Sequence, residues 1–417
     1  MKSEATHLKE KILKEVLIKT KEIGANLIKL DESSFRKRIE SIFRNVLREH
    51  KDFSLNEEQQ EILLHEVVAH FLGLGPLEKL LKDPTISEIM VNGAHQVYVE
   101  RAGNLELTDI DFGDEEQLSY FIAKILTPSG RRATESEPYV DARLSDGSRV
   151  NIVKPPVSII GPLVTIRKLV HKILTIDDLI HSETLDVTAA DFLKACVIAK
   201  MNILVCGGAS SGKTTLLNAL APFIPQGERV ITIEDTVELH LEGKHVVALE
   251  TRLSSIEGKG EITIRDLLRN ALHMRPDRII IGEVRSDEVL DMIQAMNTGH
   301  EGSMTTLHAN SPLDALDRLE VLAIMGKENI SSEVAKRQII NAIDLIVQME
   351  RLPAGTRKII QVSEVLKGKE YALSDIFVSS DDPQGITKLR LNLETPTFYP
   401  RLKKRADYFL PEFEKAA

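Results

Sequence analysis

The 417-residue sequence contains no tryptophan, and only 4% of its residues are aromatic. This scarcity argues against a nucleic-acid channel, in which successive bases stack on aromatic side chains. The two cysteines, Cys196 and Cys206, lie in apolar segments and lack zinc-ligand spacing. We expect both thiols to be buried without a disulfide, which fits a reducing compartment such as the cytoplasm.

Long hydrophobic runs are also missing. The chain starts with the charged segment Met1-Lys-Ser-Glu, which lacks the apolar core of a signal peptide, and no run of about 18 apolar residues follows. We therefore expect no transmembrane segment, so that any membrane role depends on a partner. The 53 basic and 63 acidic residues give a net charge of −10, which disfavours a protein that mainly grips phosphate backbones.

The residues that are present indicate a globular protein of two or three domains. Hydrophobic residues make up 42% and charged residues 28% of the chain. Apolar residues at three- and four-residue spacings predict a helical bundle over 1–75. Short strand-like runs broken by turns predict an α+β domain over 76–168, and the strands expected there are 86–91, 96–100, 105–111, 149–153 and 163–167.

The rest of the chain predicts a second kind of domain. After a linker over 169–185, apolar strands alternate with helical patterns through 186–372. This alternation is typical of an α/β domain with a covered, mainly parallel sheet. Its strands are expected at 202–206, 230–233, 277–281, 302–307 and 342–349. The polar, proline-containing remainder, 373–417, is expected to form a short C-terminal appendage.

A P-loop pattern, G-x-x-x-x-G-K-[ST], follows the first of these strands and precedes a helical run. It consists of Gly207, Gly208, Ala209, Ser210, Ser211, Gly212, Lys213 and Thr214, with Thr215 next. Glycines let several backbone N–H groups point at one phosphate, and the helix N-terminus adds positive charge. Lys213 would bridge the β- and γ-phosphates, and Thr214 would offer its hydroxyl to Mg²⁺. A chance match in a glycine-rich loop is the alternative; GTP is disfavoured because no N-K-x-D segment is found.

Two further strands end in acidic residues. Glu234, Asp235 and Glu238 follow one of them, and Glu283 directly follows a triple-isoleucine strand. Because the carboxyl ends of parallel strands line the ligand crevice, such carboxylates can order Mg²⁺-bound water and accept a proton from the attacking water. Gly282 stands where a Walker B strand usually has its aspartate, which leaves Glu283 as the general base. Alternatively, each acid caps a helix or pairs with Arg285 or Arg278.

Two histidines, His300 and His308, lie in the segment 298–310. By themselves they could be solvated, buried with partners, or metal ligands. Metal binding is the weakest of these interpretations, because no cysteine or third histidine is close in sequence.

The P-loop, the acidic box, the segment ending Gly282-Glu283 and the histidine boxes, in that order, resemble the type II/IV secretion ATPase superfamily over about residues 76–372. Within it the sequence is most similar to the CpaF family of Tad-type pilus motors, through segments 130–132, 140–151, 164–168, 249–260 and 398–402. The four-cysteine zinc insert of some relatives is absent from the sequence.

This resemblance implies a RecA-like P-loop ATPase domain preceded by a PAS-like α+β domain and an N-terminal helical bundle. It implies a homohexamer that hydrolyses ATP with Mg²⁺ and acts on a platform protein of the inner membrane, in pilus assembly or protein secretion. The expected location is cytoplasmic and peripheral to that membrane, with no nucleic acid as partner. His300 and His308 would couple the phosphate state to domain position.

The resemblance also points to three arginines of the middle domain. In relatives, arginines of the PAS-like domain reach the nucleotide, some across the subunit boundary, and Arg143, Arg149 and Arg167 are the matching candidates. Such positive charge would meet the developing phosphoryl charge, as an arginine finger does. Alternatively, these side chains belong to a solvated strand face or pair with Asp141 and Asp146.

Two other functions remain open from the sequence. One is a nucleic-acid translocase on the same core, which the low aromatic content disfavours. The other is a scaffold that senses nucleotide and rarely hydrolyses it, which the intact Glu283 and the two histidines disfavour.

Overall fold

The computed structural model divides into two units, Met1–Lys168 and Leu169–Ala417. The residues that it describes are 74–101, 103–169, 174–241, 243, 245–252, 254, 260–326, 330–352, 355–381, 387–392 and 394–410, with 12, 15, 16, 19, 32–49, 56, 59–64 and 67 nearer the N-terminus. The described helices include none that is long and apolar enough to cross a bilayer.

The N-terminal part of the first unit contains helix α1, Glu32–Glu49, whose apolar stripe is buried. Ile39, Phe43 and Val46 lie on that stripe at three- and four-residue spacings. This agrees with the periodicity of the sequence. Most of the predicted bundle over 1–75 lies outside the described residues, so that the bundle stays a prediction.

The remainder of the first unit is a six-stranded antiparallel sheet with a helix on one face. Its order is β3-β2-β1-β6-β5-β4. The elements are α2 Glu78–Lys82, β1 Ile86–Asn92, β2 Val97–Arg101, β3 Asn104–Leu107, α3 Glu115–Leu126, β4 Tyr139–Arg143, β5 Arg149–Val153 and β6 Leu163–Arg167. Asp114 caps α3 by accepting the N–H of Gln117, and the buried face of α3 packs on alternate strand residues.

The second unit is built on a nine-stranded sheet of order β15-β14-β13-β12-β7-β11-β10-β8-β9. Strands β12 through β9 in this order are parallel, and β13 to β15 add antiparallel hairpins at one edge. The strands are β7 Ile203–Gly207, β8 Val230–Glu234, β9 Val246–Glu250, β10 Arg278–Ile281, β11 Met304–His308, β12 Leu345–Arg351, β13 Arg357–Val365, β14 Leu373–Asp381 and β15 Thr387–Leu391.

Helices cover this sheet, as the near-continuous apolar strands predict. They are α4 Ile176–His181, α5 Val187–Ile198, α6 Lys213–Leu220, α7 Ile264–Leu272, α8 Glu288–Asn297, α9 Pro312–Met325, α10 Ser332–Ala342 and α11 Tyr399–Ala406; 3₁₀ turns occur at Gly75–Leu77, Thr127–Ser129 and Ala221–Phe223. Alternate residues of β7 enter two separate cores: Ile203 and Val205 face one, Leu204 and Cys206 the other.

Both cysteines are buried in these cores, in agreement with the sequence. Burial raises the pKa of Cys196 well above its ordinary value and that of Cys206 to about 12. The Cys206 thiol donates to Oε1 of Gln348 at 2.7 Å. Both therefore act as small core residues and not as reactive thiolates.

The segments flanking the α/β domain differ from the expectation of a linker and an appendage. Within the expected linker, the described residues from 174 onward include α4, whose Ile176 and Leu179 are buried in the core. In the expected appendage, β14 and β15 continue the sheet, and Tyr399 and Leu402 of α11 pack into the same core. The sequence predicts neither strand, because charged and hydroxyl-bearing residues interrupt their apolar residues.

Candidate functional site

The P-loop connects the buried strand β7 to helix α6, as the sequence predicts. Gly212 immediately before the helix has φ = 96°, in the left-handed region that a side chain disfavours. At Gly207 a Cβ atom would collide with the carbonyl oxygen of Met349 on the neighbouring strand β12. Both glycines are thus needed for the loop to turn from β7 into α6 beside β12, while Gly208, Ala209 and Ser210 face solvent.

Lys213 begins α6, and its side chain folds back toward the first residues of the P-loop. Only 7% of the residue is exposed. Its Nζ donates to the carbonyl oxygens of Gly207 at 3.1 Å and Gly208 at 2.7 Å, and lies 3.4 Å from Nδ1 of His308. Thr214 and Thr215 occupy the first turn of the same helix, where unpaired N–H groups and the dipole favour an anion.

Glu283 follows β10 at the carboxyl edge of the sheet, and each of its oxygens faces a different neighbour. Oε2 accepts a hydrogen bond of 2.5 Å from Arg285. Oε1 lies 2.9 Å from Nε2 of His308. The ring is not aligned for a hydrogen bond, so that Oε1 is buried without a hydrogen-bond partner among the described residues. Oε1 is therefore the oxygen available to accept a proton, in a site that also holds Lys213.

His308 ends β11 between Lys213 and Glu283. Burial is the main cause that lowers the pKa of His308, and the charges of Lys213 and Arg285 add to it, while Glu283 opposes them. The imidazole is therefore neutral at pH 7. Because Lys213 can only donate, Nδ1 is the acceptor, which assigns the ring hydrogen to Nε2, on the side of Glu283.

Residues of the acidic box after β8 contact both the backbone and Arg285. Glu234 is 3% exposed, and its carboxylate accepts the N–H groups of Glu238 and Leu239 at 3.1–3.2 Å. Asp235 Oδ2 lies 3.5 Å from Arg285, which joins it to Glu283. The hydrogen bond from Arg285 to Glu283 is the first cause that raises the pKa of Arg285. The pairing of Glu283 with Arg285, an alternative left open by the sequence, therefore occurs.

Gly282 stands where a Walker B aspartate is usual, and its surroundings explain why this position has no side chain. A Cβ on Gly282 would lie 2.8 Å from Cγ and 3.1 Å from Oε1 of Glu234. The acidic group of the neighbouring strand thus already fills the space that an aspartate side chain would need.

Within the second unit, the structure places His300 away from the P-loop. His300 precedes β11 whereas His308 ends it, so that the two lie near opposite ends of this strand. His300 Nδ1 is 3.3 Å from the carbonyl oxygen of Ala295. The three arginines belong to the first unit, where Arg143, Arg149 and Arg167 are direct cross-strand partners. Arg278, the other basic alternative, is fully buried against Glu228, with an Nε–Oε2 distance of 2.6 Å.

One site residue escaped the sequence analysis. Arg357 opens β13, and its Nε donates to the carbonyl oxygen of Ser210 in the P-loop at 2.9 Å. The two residues are 147 positions apart in the chain, and no spacing or motif connects them.

The donor groups at the loop fit Mg²⁺. Among the described residues no cluster of three or more His, Cys, Asp or Glu side chains could hold a metal ion. Mg²⁺ commonly retains several waters and binds one or two protein groups together with substrate phosphates. The Thr214 hydroxyl at the start of α6 supplies such a group, and the buried Oε1 of Glu283 is an acceptor for a metal-bound water.

Comparison with known proteins places the chain in a family. The family described as type II/IV secretion system protein matches residues 71–371. A conjugal transfer protein of Mycobacterium tuberculosis is 34% identical over 312 residues, which cover 73% of this chain and 88% of that protein. The type IV secretion system protein VirB11 of Bartonella quintana is 30% identical over 329 residues, with coverages of 70% and 92%.

Solved structures agree in fold. The pilus retraction motor PilT with bound ADP is 20% identical and covers 79% of this chain and 84% of its own, with a TM-score of 0.50. The ATPase DotB of Yersinia pseudotuberculosis is 19% identical, with coverages of 69% and 77% and a TM-score of 0.50. These likenesses confirm the predicted fold class, an α/β protein with a RecA-like core. From its P-loop site and the family match together, the chain belongs to the type II/IV secretion system protein family, as one of its ATP-hydrolysing enzymes.

Proposed function

We propose that this secretion-family ATPase is a homohexameric motor, closest to the CpaF group, that couples ATP hydrolysis to pilus assembly or protein secretion. It acts on a platform protein of the inner membrane from the cytoplasmic side. The observation that carries the enzymatic part is the contact of Glu283 with His308 beside Lys213 of the P-loop.

The arrangement supports direct in-line attack of water on the γ-phosphate. Lys213 and the N–H groups of the loop hold the phosphates. Arg285 occupies one oxygen of Glu283, so that the other oxygen, Oε1, orients the water and takes its proton. The neutral His308 ring presents its Nε2–H on the side of Glu283 without adding charge to the site. The Thr214 hydroxyl would hold Mg²⁺, which would supply positive charge against the phosphates.

The register of the first unit supports a nucleotide role for its arginines. Arg143, Arg149 and Arg167 form a row across β4, β5 and β6, on the face opposite the buried Val150 and Ile166. Arg167 also faces Glu88 on β1. Three guanidinium groups on one face of a sheet are suited to bind phosphate oxygens. We propose that the row binds the phosphates of ATP in the assembled ring.

The central test is steady-state ATP hydrolysis by the purified full chain and by the variant Glu283→Gln. We expect the variant to bind ATP and to hydrolyse it about 10²- to 10⁴-fold more slowly, the usual worth of a general base. Glu333→Gln, at an exposed position of α10, is the matched control and should hydrolyse ATP at the wild-type rate. Retained hydrolysis in Glu283→Gln would remove Glu283 from the role of base.

The finer parts of the proposal need two further measurements. Native mass spectrometry with ATP should show a sixfold assembly of Glu283→Gln, and a stable monomer would contradict the ring. Copurification of the same ATP-bound variant from membranes should recover an integral membrane protein. Single-stranded DNA should leave the ATPase rate unchanged; stimulation would favour the translocase that the sequence left open, a role in line with the conjugal transfer relatives.

A further inference from the structure

The P-loop is supported from outside by the hairpin of β12 and β13. The Met349 carbonyl of β12 packs against Gly207. Arg357 of β13 donates from Nε to the Ser210 carbonyl at 2.9 Å, and its Cδ lies 3.3 Å from the place that a Gly212 Cβ would take. The hairpin thus contacts the start, the middle and the end of the loop.

The middle contact falls on a residue with an unfavourable backbone. Ser210 has φ = 55°, a left-handed conformation that residues other than glycine seldom adopt. Its side chain is exposed, so that packing of the side chain does not compensate. Such strained residues persist where surrounding groups hold them and are concentrated at functional sites. Here the group that holds the peptide of Ser210 is the guanidinium of Arg357.

We propose that Arg357 is a positioning residue: it holds Ser210 in the left-handed conformation and so keeps the loop shaped for phosphate before nucleotide arrives. This inference deepens the proposed function, since it assumes that the loop binds ATP. A shift of the β12–β13 hairpin would break the hydrogen bond to the Ser210 carbonyl and would therefore lower the affinity for nucleotide.

The inference is tested with Mg-ADP binding to the full chain, measured by calorimetry. Arg357→Gln should weaken binding about tenfold or more, the equivalent of one hydrogen bond from a charged donor. Arg357→Lys keeps the charge but not the Nε geometry, and it should lose most of that affinity as well. Arg390→Gln, at an exposed position of β15, is the matched control and should bind as the wild type does.

The decisive comparison repeats Arg357→Gln in two backgrounds. In Ser210→Gly the left-handed conformation no longer carries a penalty, so that the loss should shrink to about threefold or less. In Ser210→Ala, which removes only the hydroxyl, the full loss should remain. Equal losses in all backgrounds, or an Arg357→Lys variant that binds at wild-type strength, would overturn positioning in favour of direct charge attraction. A wild-type chain that binds no nucleotide would instead overturn the proposed function.

Discussion

Replacement of Gly282 by alanine tests why this protein lacks the usual Walker B aspartate. The new methyl group would lie 2.8 Å from Cγ of Glu234, where ordinary contacts begin at about 3.4 Å. Glu234 cannot simply turn away, because its carboxylate is buried and accepts the N–H groups of Glu238 and Leu239.

The expected cost combines two effects. Overpacking in a close-packed interior costs about 1–3 kcal/mol, and loss of a hydrogen bond to a charged acceptor costs about 1.5–3 kcal/mol. Because displacement of Glu234 relieves the first while it causes the second, the two costs do not add, and we expect Gly282→Ala to lower the free energy of unfolding by about 1.5–3 kcal/mol. In a unit of this size that corresponds to a melting temperature lower by about 3–12 °C.

Differential scanning calorimetry of the full chain measures this shift, with Gly227→Ala as control, since a Cβ on the exposed Gly227 meets nothing within 4 Å. A double-mutant cycle with Glu234→Ala shows whether the loss of stability comes from the contact between residue 282 and the Glu234 side chain. Once Glu234 is shortened, Gly282→Ala should cost less than half as much as in the wild type. If Gly282→Ala melts like Gly227→Ala, or if its cost is unchanged without the Glu234 side chain, the packing explanation is wrong.

Three further predictions concern charged groups. Arg278→Ala removes a fully buried side chain with its hydrogen bonds to Glu228 and the Val197 carbonyl, and it should lower the free energy of unfolding by about 2–4 kcal/mol in chemical denaturation; a loss below 1 kcal/mol would contradict a structural role. Because the pKa of His308 is lowered in the folded state, the unfolded chain takes up the proton first, so that stability should fall as the pH drops below about 6.5. In His308→Asn that part of the pH dependence should disappear from unfolding curves recorded at pH 7.5 and 5.5. Arg149→Gln removes the central guanidinium of the row and should lower ATP turnover about tenfold or more; turnover at the wild-type rate would remove Arg149 from the nucleotide site.

Local patterns predicted the centre of the second unit well. The apolar strands around β7, β8, β10 and β11 and the P-loop were recognisable because burial on both faces demands continuous hydrophobic runs. Strand β12 was placed too early, at 342–349, because the last turn of α10 is equally apolar. Strand β15, in which lysine and arginine alternate with leucine, carries no comparable signal.

Side-chain roles were harder to predict than strands. The sequence placed Glu234 at a strand end correctly, but it could not show that backbone N–H groups already occupy its carboxylate. His300 and His308 belong to one short segment, yet strand β11 separates them, so that they lie near its opposite ends. Arg357 was missed because its contact with Ser210 depends on the order of strands in the sheet and not on any local motif.

The way in which the last helix docks limits how the protein can be shortened. Arg401 of α11 donates to the carbonyl oxygens of Ala199 and Lys200 and pairs with Glu301 at 3.0 Å, while Leu402 is buried in the core. A fragment cut at 372, where the sequence suggests a boundary, would expose that core and leave β13 as a bare edge open to aggregation. A fragment meant to fold as the second unit should therefore begin near Leu169 and include α11.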